Sequence, residues 1–163
     1  MLRVPTPPST DRRLLLAALA LAAAALLFCA PARRGAAQSA SPVLVSQAGS
    51  TRAVALEAVT RVPEPFALDS PVRLGADART RLMLFAMNLH LAPGEEAAAV
   101  TAEAEDAARR TYALAVEHVG PVPGQEWMSS VVVRINEHIA ADAGDVLVRI
   151  TYKGASSNRV RVA

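Results

Sequence analysis

Histidines at 90, 118 and 138 are the only imidazoles of the 163-residue chain, and two of them follow a glutamate directly, in Glu117-His118 and Glu137-His138. An acid–His pair could bind a metal or act as a general base, but only where a third group converges on it. No segment has the His-Glu-x-x-His spacing of a zinc peptidase, and no serine sits in a Gly-x-Ser-x-Gly elbow. If residues 112–119 and 127–135 pair around 120–124, His118 lies at the turn end and His138 near the opposite end. All three therefore read as surface histidines. The chain is expected not to be an enzyme, and no catalytic, cofactor-binding or metal-ligating residue is assigned.

Two other sets of side chains could bind something. Glu103, Glu105, Asp106, Asp142 and Asp145 fall in loops or at strand ends, where β-sandwiches sometimes hold calcium through hard oxygen ligands. They lack EF-hand spacing, so solvation and turn capping is the preferred reading. Arg149, Lys153, Arg159 and Arg161 recur on one side of an alternating segment and would form a basic stripe. Such a stripe could attract anionic glycans or lipid headgroups. Its ordinary role is to solvate an outer face and to discourage edge-to-edge pairing. It is the one surface-binding candidate in the sequence.

The element that positions this stripe is the segment 142–163. Val146, Val148, Ile150 and Tyr152 alternate with Leu147, Arg149, Thr151 and Lys153, the period-2 pattern of a half-buried strand. Val160 and Val162 continue the apolar side, Arg159 and Arg161 the polar one. Residues 154–158, Gly-Ala-Ser-Ser-Asn, supply the turn of a β-hairpin. Further strands are expected at 43–45, 53–60, 79–91 and 126–135, and Pro63-Glu-Pro65 marks a linking or edge segment. On the last of these strands Trp127, Ser129, Val131, Val133 and Ile135 share the inner face, and the Gly120-Pro-Val-Pro-Gly124 stretch before it reads as a loop.

Residues 95–119 support two readings. Alanine content, a Pro-Gly start, a Gly120 stop and the pairs Glu105/Arg109 and Asp106/Arg110 at four-residue spacing suit a helix. Residues 100–105 and 111–119 each alternate, however, with Asp106-Ala-Ala-Arg109 as a turn. Two strands are the reading adopted.

At the N-terminus, three arginines precede an unbroken apolar run at 14–30, followed by small residues. This is the layout of a cleavable signal helix, with cleavage expected before Gln38 or Ala40 and residues 1–40 as leader and cleavage region. Arg12-Arg13 fits a loose twin-arginine pattern. Phe28 before Cys29 argues against lipid modification. The membrane would be met only through this segment, if it stays uncleaved as an anchor. Five of the 17 basic side chains and one of the 15 acidic ones lie in the leader, leaving 12 against 14, a net of −2. A nucleic-acid partner is therefore not expected. Cys29, the single cysteine, would be lost with the leader, so residues 41–163 must fold as one domain by packing alone.

Taken together, the run Ser129-Ser-Val-Val-Val-Arg-Ile135, the corner Asp142-Ala-Gly-Asp145 and the closing hairpin resemble the last strands of the immunoglobulin-like fold, with Val146 and Val148 where that superfamily places a tyrosine and a half-disulfide. Over 43–163, Thr51-Arg-Ala-Val-Ala-Leu-Glu57, Arg79-Thr-Arg-Leu-Met-Leu-Phe85, Val116-Glu-His-Val-Gly-Pro-Val-Pro-Gly124 and Ala155-Ser-Ser-Asn-Arg-Val-Arg-Val162 resemble an uncharacterised C-terminal module of secreted bacterial proteins. The resemblance implies an all-β, immunoglobulin-like antiparallel sandwich of about seven to nine strands. It also implies an exported protein, extracellular, at the cell surface or periplasmic. The expected function is a non-enzymatic structural or protein-interaction module whose partner is a protein or an envelope component. The alternative is a carbohydrate-binding module acting on envelope or extracellular polysaccharide.

Overall fold

A computed structural model describes residues 40–72 and 76–163. The signal helix, its cleavage before Gln38 and the anchor alternative lie outside the described residues. Among the described residues, no helix is long and apolar enough to cross a membrane.

Among the described residues, the alternation read from the sequence produces an all-β fold of nine strands: β1 (Val43–Leu44), β2 (Ala55–Glu57), β3 (Arg81–Met87), β4 (Val100–Glu105), β5 (Thr111–Val122), β6 (Gln125–Arg134), β7 (Val146–Tyr152), β8 (Ala155–Ser156) and β9 (Val160–Val162). All strand pairs are antiparallel, in the order β1-β3-β6-β5-β4-β7-β8, with β2 also on β3 and β9 also on β7. The sheet curls as a half-barrel. Its bend is carried by β5, whose first residues pair with β4 and whose later residues pair with β6. Register shifts at Val116/His118 and Pro121/Val122 interrupt the second ladder, and such bulges bend and twist a strand.

Inside the curl lie Leu82, Leu84 and Ala86 of β3, Val131 and Val133 of β6, Ala102 and Ala104 of β4, Val148 and Ile150 of β7, and Val160 and Val162 of β9. Ala104 and Val148 stand directly across from each other, both 0% exposed. Each fully buried valine, leucine or isoleucine stabilises the fold by roughly 1.5–3 kcal/mol.

Two strands form at 95–119, as the alternation indicated, after one short 3-10 turn at Ala97–Ala99. Helix propensity loses here because Ala102 and Ala104 bury against β7 and because the reversal is well built. Asp106 accepts hydrogen bonds from the Arg110 N–H at 2.9 Å, the Arg110 Nε at 2.7 Å and the Tyr112 hydroxyl at 3.0 Å.

Among the boundaries that differ from the sequence reading, β3 spans Arg81–Met87 rather than 79–91, and three others have a visible cause. The expected strand at 53–60 stops at Glu57, whose buried carboxylate turns back to accept the Val59 and Thr60 N–H groups and the Thr60 hydroxyl. Its burial alone would raise the carboxyl's pKa; the Thr60 N–H and hydroxyl, with the Val59 N–H, outweigh that and hold it below the usual value. The closing hairpin turns at Lys153-Gly154, with φ of 49° and 79°, and not over 154–158. That is the two-residue geometry whose twist matches its strands. Residue 157 then forms a bulge: the Ser157 hydroxyl accepts the Ile150 N–H at 3.1 Å, and the Ser157 N–H donates to the Ile150 carbonyl at 2.9 Å. Beside it the Asn158 side chain accepts the Leu44 N–H at 2.7 Å and donates to the Leu44 carbonyl at 3.0 Å. Finally, residues 120–122 belong to β5, leaving Pro123-Gly124 as the tip of a long β5–β6 hairpin.

The two ends of the curl also meet near β9. The Ala53 N–H donates to the Arg161 carbonyl at 2.8 Å and the Arg161 N–H to the Thr51 carbonyl at 2.7 Å, a parallel bridge at Arg52 and Arg161.

Candidate functional site

The four cations of the stripe do lie along β7 to β9, and each meets a carboxylate. Arg149 Nη2 is 2.6 Å from Glu103 Oε1, Lys153 Nζ is 3.1 Å from Glu95 Oε1, Arg159 Nη1 is 2.8 Å from Glu105 Oε2, and Arg161 Nε is 3.2 Å from Asp145 Oδ2. A row of ion pairs has little field left to draw in an anion, so the stripe is a poor glycan or headgroup site.

Ion pairs occupy four of the five carboxylates considered for calcium, three of them with cations of the stripe. Glu103 faces Arg149, Glu105 takes Arg109 and Arg159, Asp106 takes Arg110, and Asp145 takes Arg52 and Arg161. The fifth, Asp142, is exposed. Hydrogen bonding from Arg109, against the opposing effect of burial and with help from Arg159, holds the Glu105 carboxyl below its usual range. Among the described residues, no group of three His, Cys, Asp or Glu side chains is placed to hold a metal ion.

The histidines stay apart. His90 follows Met87 at one end of the β3–β6 ladder, His138 follows Arg134 at the other, and His118 pairs with Val132 between them. All three are exposed, and His138 has only Glu137 at 3.7 Å.

A different surface emerges on the outer side of β3 and β6. Met83 stands across from Val132, Phe85 from Ser130 and Met87 from Met128, and β2 adds Leu56 beside Met83. These side chains are half-buried. Their row has a charged end, where Arg81 and Arg134 face each other across the ladder and are held by Asp77 and Glu117: Arg81 is 3.2 Å from Asp77 and 3.0 Å from Glu117, and Arg134 is 2.7 Å from Asp77. Like charges placed opposite each other in a sheet repel, so the two carboxylates are what this end requires. The Arg79 N–H and Arg134 bonds to Asp77 keep its carboxyl below the usual range.

At the far end of the row the β5–β6 hairpin runs past the last residue of β3. Trp127, expected on the inner face, is 57% exposed, and its indole N–H donates to Gln125 Oε1 at 2.8 Å. It has the same parity as the buried Ser129, Val131 and Val133. The β3 ladder ends at the pair Met87–Met128, however, so no β3 residue pairs across from Trp127. The lone tryptophan was visible in the sequence; the length of the strand facing it was not. Comparison with protein-family models, with curated proteins and with solved structures gave no match.

Proposed function

We propose that this chain is an exported, non-enzymatic interaction module with an immunoglobulin-like sandwich fold, working at the bacterial cell surface or in the periplasm. Its partner is a protein or envelope component, met through the outer face of β3 and β6 and the Trp127 arm. The fold reading is supported by the way the strands group. β1, β2, β3 and β6 pair among themselves, β4, β7, β8 and β9 do the same, and β5 passes between the groups. An early segment running parallel to the last strand at Arg52 and Arg161 fits the same plan. Export rests on the leader read from the sequence.

The observation that carries the functional reading is the exposed Trp127 on the hairpin that extends past the apolar row, on a domain whose β4–β7 outer face is covered with ion pairs. Tryptophan is enriched where proteins meet, and its ring supplies a large contact area at low entropic cost. A second reading, carbohydrate binding, draws on the same ring, since an exposed indole can stack on a sugar.

The test is site-specific photocrosslinking in intact cells, with the reactive group at position 127 and, as control, at position 149. One discrete protein adduct from 127 and none from 149 is the expected outcome. Equal labelling from both positions, or none from 127, sinks the protein-partner reading. A saturable shift of Trp127 fluorescence with an envelope polysaccharide, without a protein adduct, promotes the carbohydrate reading.

A further inference from the structure

A cavity of about 550 Å³ lies inside the curl, at the end where β3 begins and β6 finishes. We propose that it binds the alkyl chain of a long-chain carboxylic acid, with the ligand carboxylate at Arg79. The site is separate from the outer face of β3 and β6 and stands or falls without it.

The cavity follows from side-chain size. Its walls include Leu82, Leu114 and Ile135, and Ala104 and Val148, both 0% exposed, close it off behind them. The roof is the corner between β6 and β7, where Ala140, Ala141, Ala143 and Gly144 bring almost no side-chain volume over the opening. Within this corner are two turn bonds, Ile139 N–H to Asn136 C=O at 3.2 Å and Ala143 N–H to Ala140 C=O at 3.1 Å. A space of this size, lined by aliphatic side chains, falls in the range of small-ligand sites, roughly 300–1,000 Å³. It offers water few partners, because buried water needs two to four polar contacts.

The mouth selects the head group. Arg79 donates from Nη2 to the Glu137 carbonyl at 2.8 Å, while its Nη1 lies 3.6 Å from Asp69 Oδ1, too far for a hydrogen bond. Asp69 is 65% exposed, so this contact is weak and a ligand carboxylate can replace it with a closer, charge-assisted one. The other acid at the rim, Asp145, is neutralised by Arg52 at 3.1 Å and Arg161 at 3.2 Å and does not turn an anion away.

The full chain is titrated with octanoate, decanoate, laurate and myristate, each below its micelle concentration, by displacement of a fluorescent fatty acid. Affinity should rise roughly fourfold per added methylene and then level off when the cavity is full. Ala143→Trp, which blocks the roof, should weaken laurate by about tenfold or more with an unchanged unfolding midpoint. Arg79→Gln should weaken laurate by about tenfold and leave dodecanol unaffected. The proposal is overturned by the absence of saturable binding, by affinity that climbs with chain length without levelling, or by parent-like laurate affinity in either folded variant.

Discussion

On the outer face of β4 and β7, Glu103 stands across from Arg149 with 2.6 Å between the charged atoms; on the outer face of β3 and β6, Met83 stands across from Val132 and Met87 from Met128. Both faces come from the same alternation, and both have inner sides that are fully buried. The difference lies in what the register sets opposite each outward residue. On the first face each cation is met by an anion, so the surface is satisfied by itself and by water. On the second, paired charge gathers at the end held by Asp77 and Glu117, Arg61 lies 3.0 Å from Met83 Sδ, and Phe85, Met87 and Met128 continue the row without charge. A basic run in a sequence therefore says little about a surface field until its cross-strand partners are known.

The largest expected effect is on the core that backs both faces. Val148→Asp buries a carboxylate against Ala104 with no partner and should cost several kcal/mol, about 3 or more, enough to unfold a domain of this size. Arg149→Asp, one residue along, sets two acids opposite each other on the paired face and should cost about 1 kcal/mol or less. Thermal unfolding of the two variants separates them; equal losses would mean that the strand register is wrong.

Acid should act next, and through the charged face and the turns. Hydrogen bonding from Tyr152, with Lys153 close by, lowers the Glu95 carboxyl from 4.5 to about 2. A carboxyl depressed on folding contributes stability that is complete above its unfolded pKa and is lost as pH falls through the folded one. The contribution of Glu95 is thus whole above pH 4.5 and disappears toward about pH 2. Glu57, Asp77, Glu105 and Asp106 are lowered too and act with the same sign. The unfolding midpoint should hold from neutral pH to near 4.5 and then fall, less steeply in Glu95→Gln. A flat profile to pH 2 would contradict this account.

The smallest effect on folding is expected at the β5–β6 hairpin beyond the apolar row. Trp127→Ala removes a ring that is 57% exposed and should change stability by less than about 1 kcal/mol. In the parent, the same ring should emit in the red and be quenched easily by acrylamide. A blue-shifted, protected tryptophan would place it in a core and remove the exposed ring on which the interaction reading rests.

What the sequence made legible is mostly parity. Val148, Ile150, Val160 and Val162 were read as inward and are buried, and the two strands at 95–119 were read against a competing helix pattern. Parity fixes which side a residue faces but not how far the facing strand extends, and this is why Trp127 was misplaced. It also does not give register between distant strands, so the partners Glu103 of Arg149 and Glu105 of Arg159 were visible only as separate acids. The turn at Lys153-Gly154 was missed because a lysine at positive φ has no composition signal, whereas the Ser-Ser-Asn after it has a strong one.

The Asn158 side chain, which pairs with both backbone groups of Leu44, makes the outer edge of β1 depend on a single amide. Hydrolysis of that one amide to a carboxylate would keep the acceptor for the Leu44 N–H but replace the donor to the Leu44 carbonyl with a second oxygen, setting two acceptors face to face. The Leu44 carbonyl would lose the donor that covers it, and the outer edge of β1 would be held by one bond where the amide gives two.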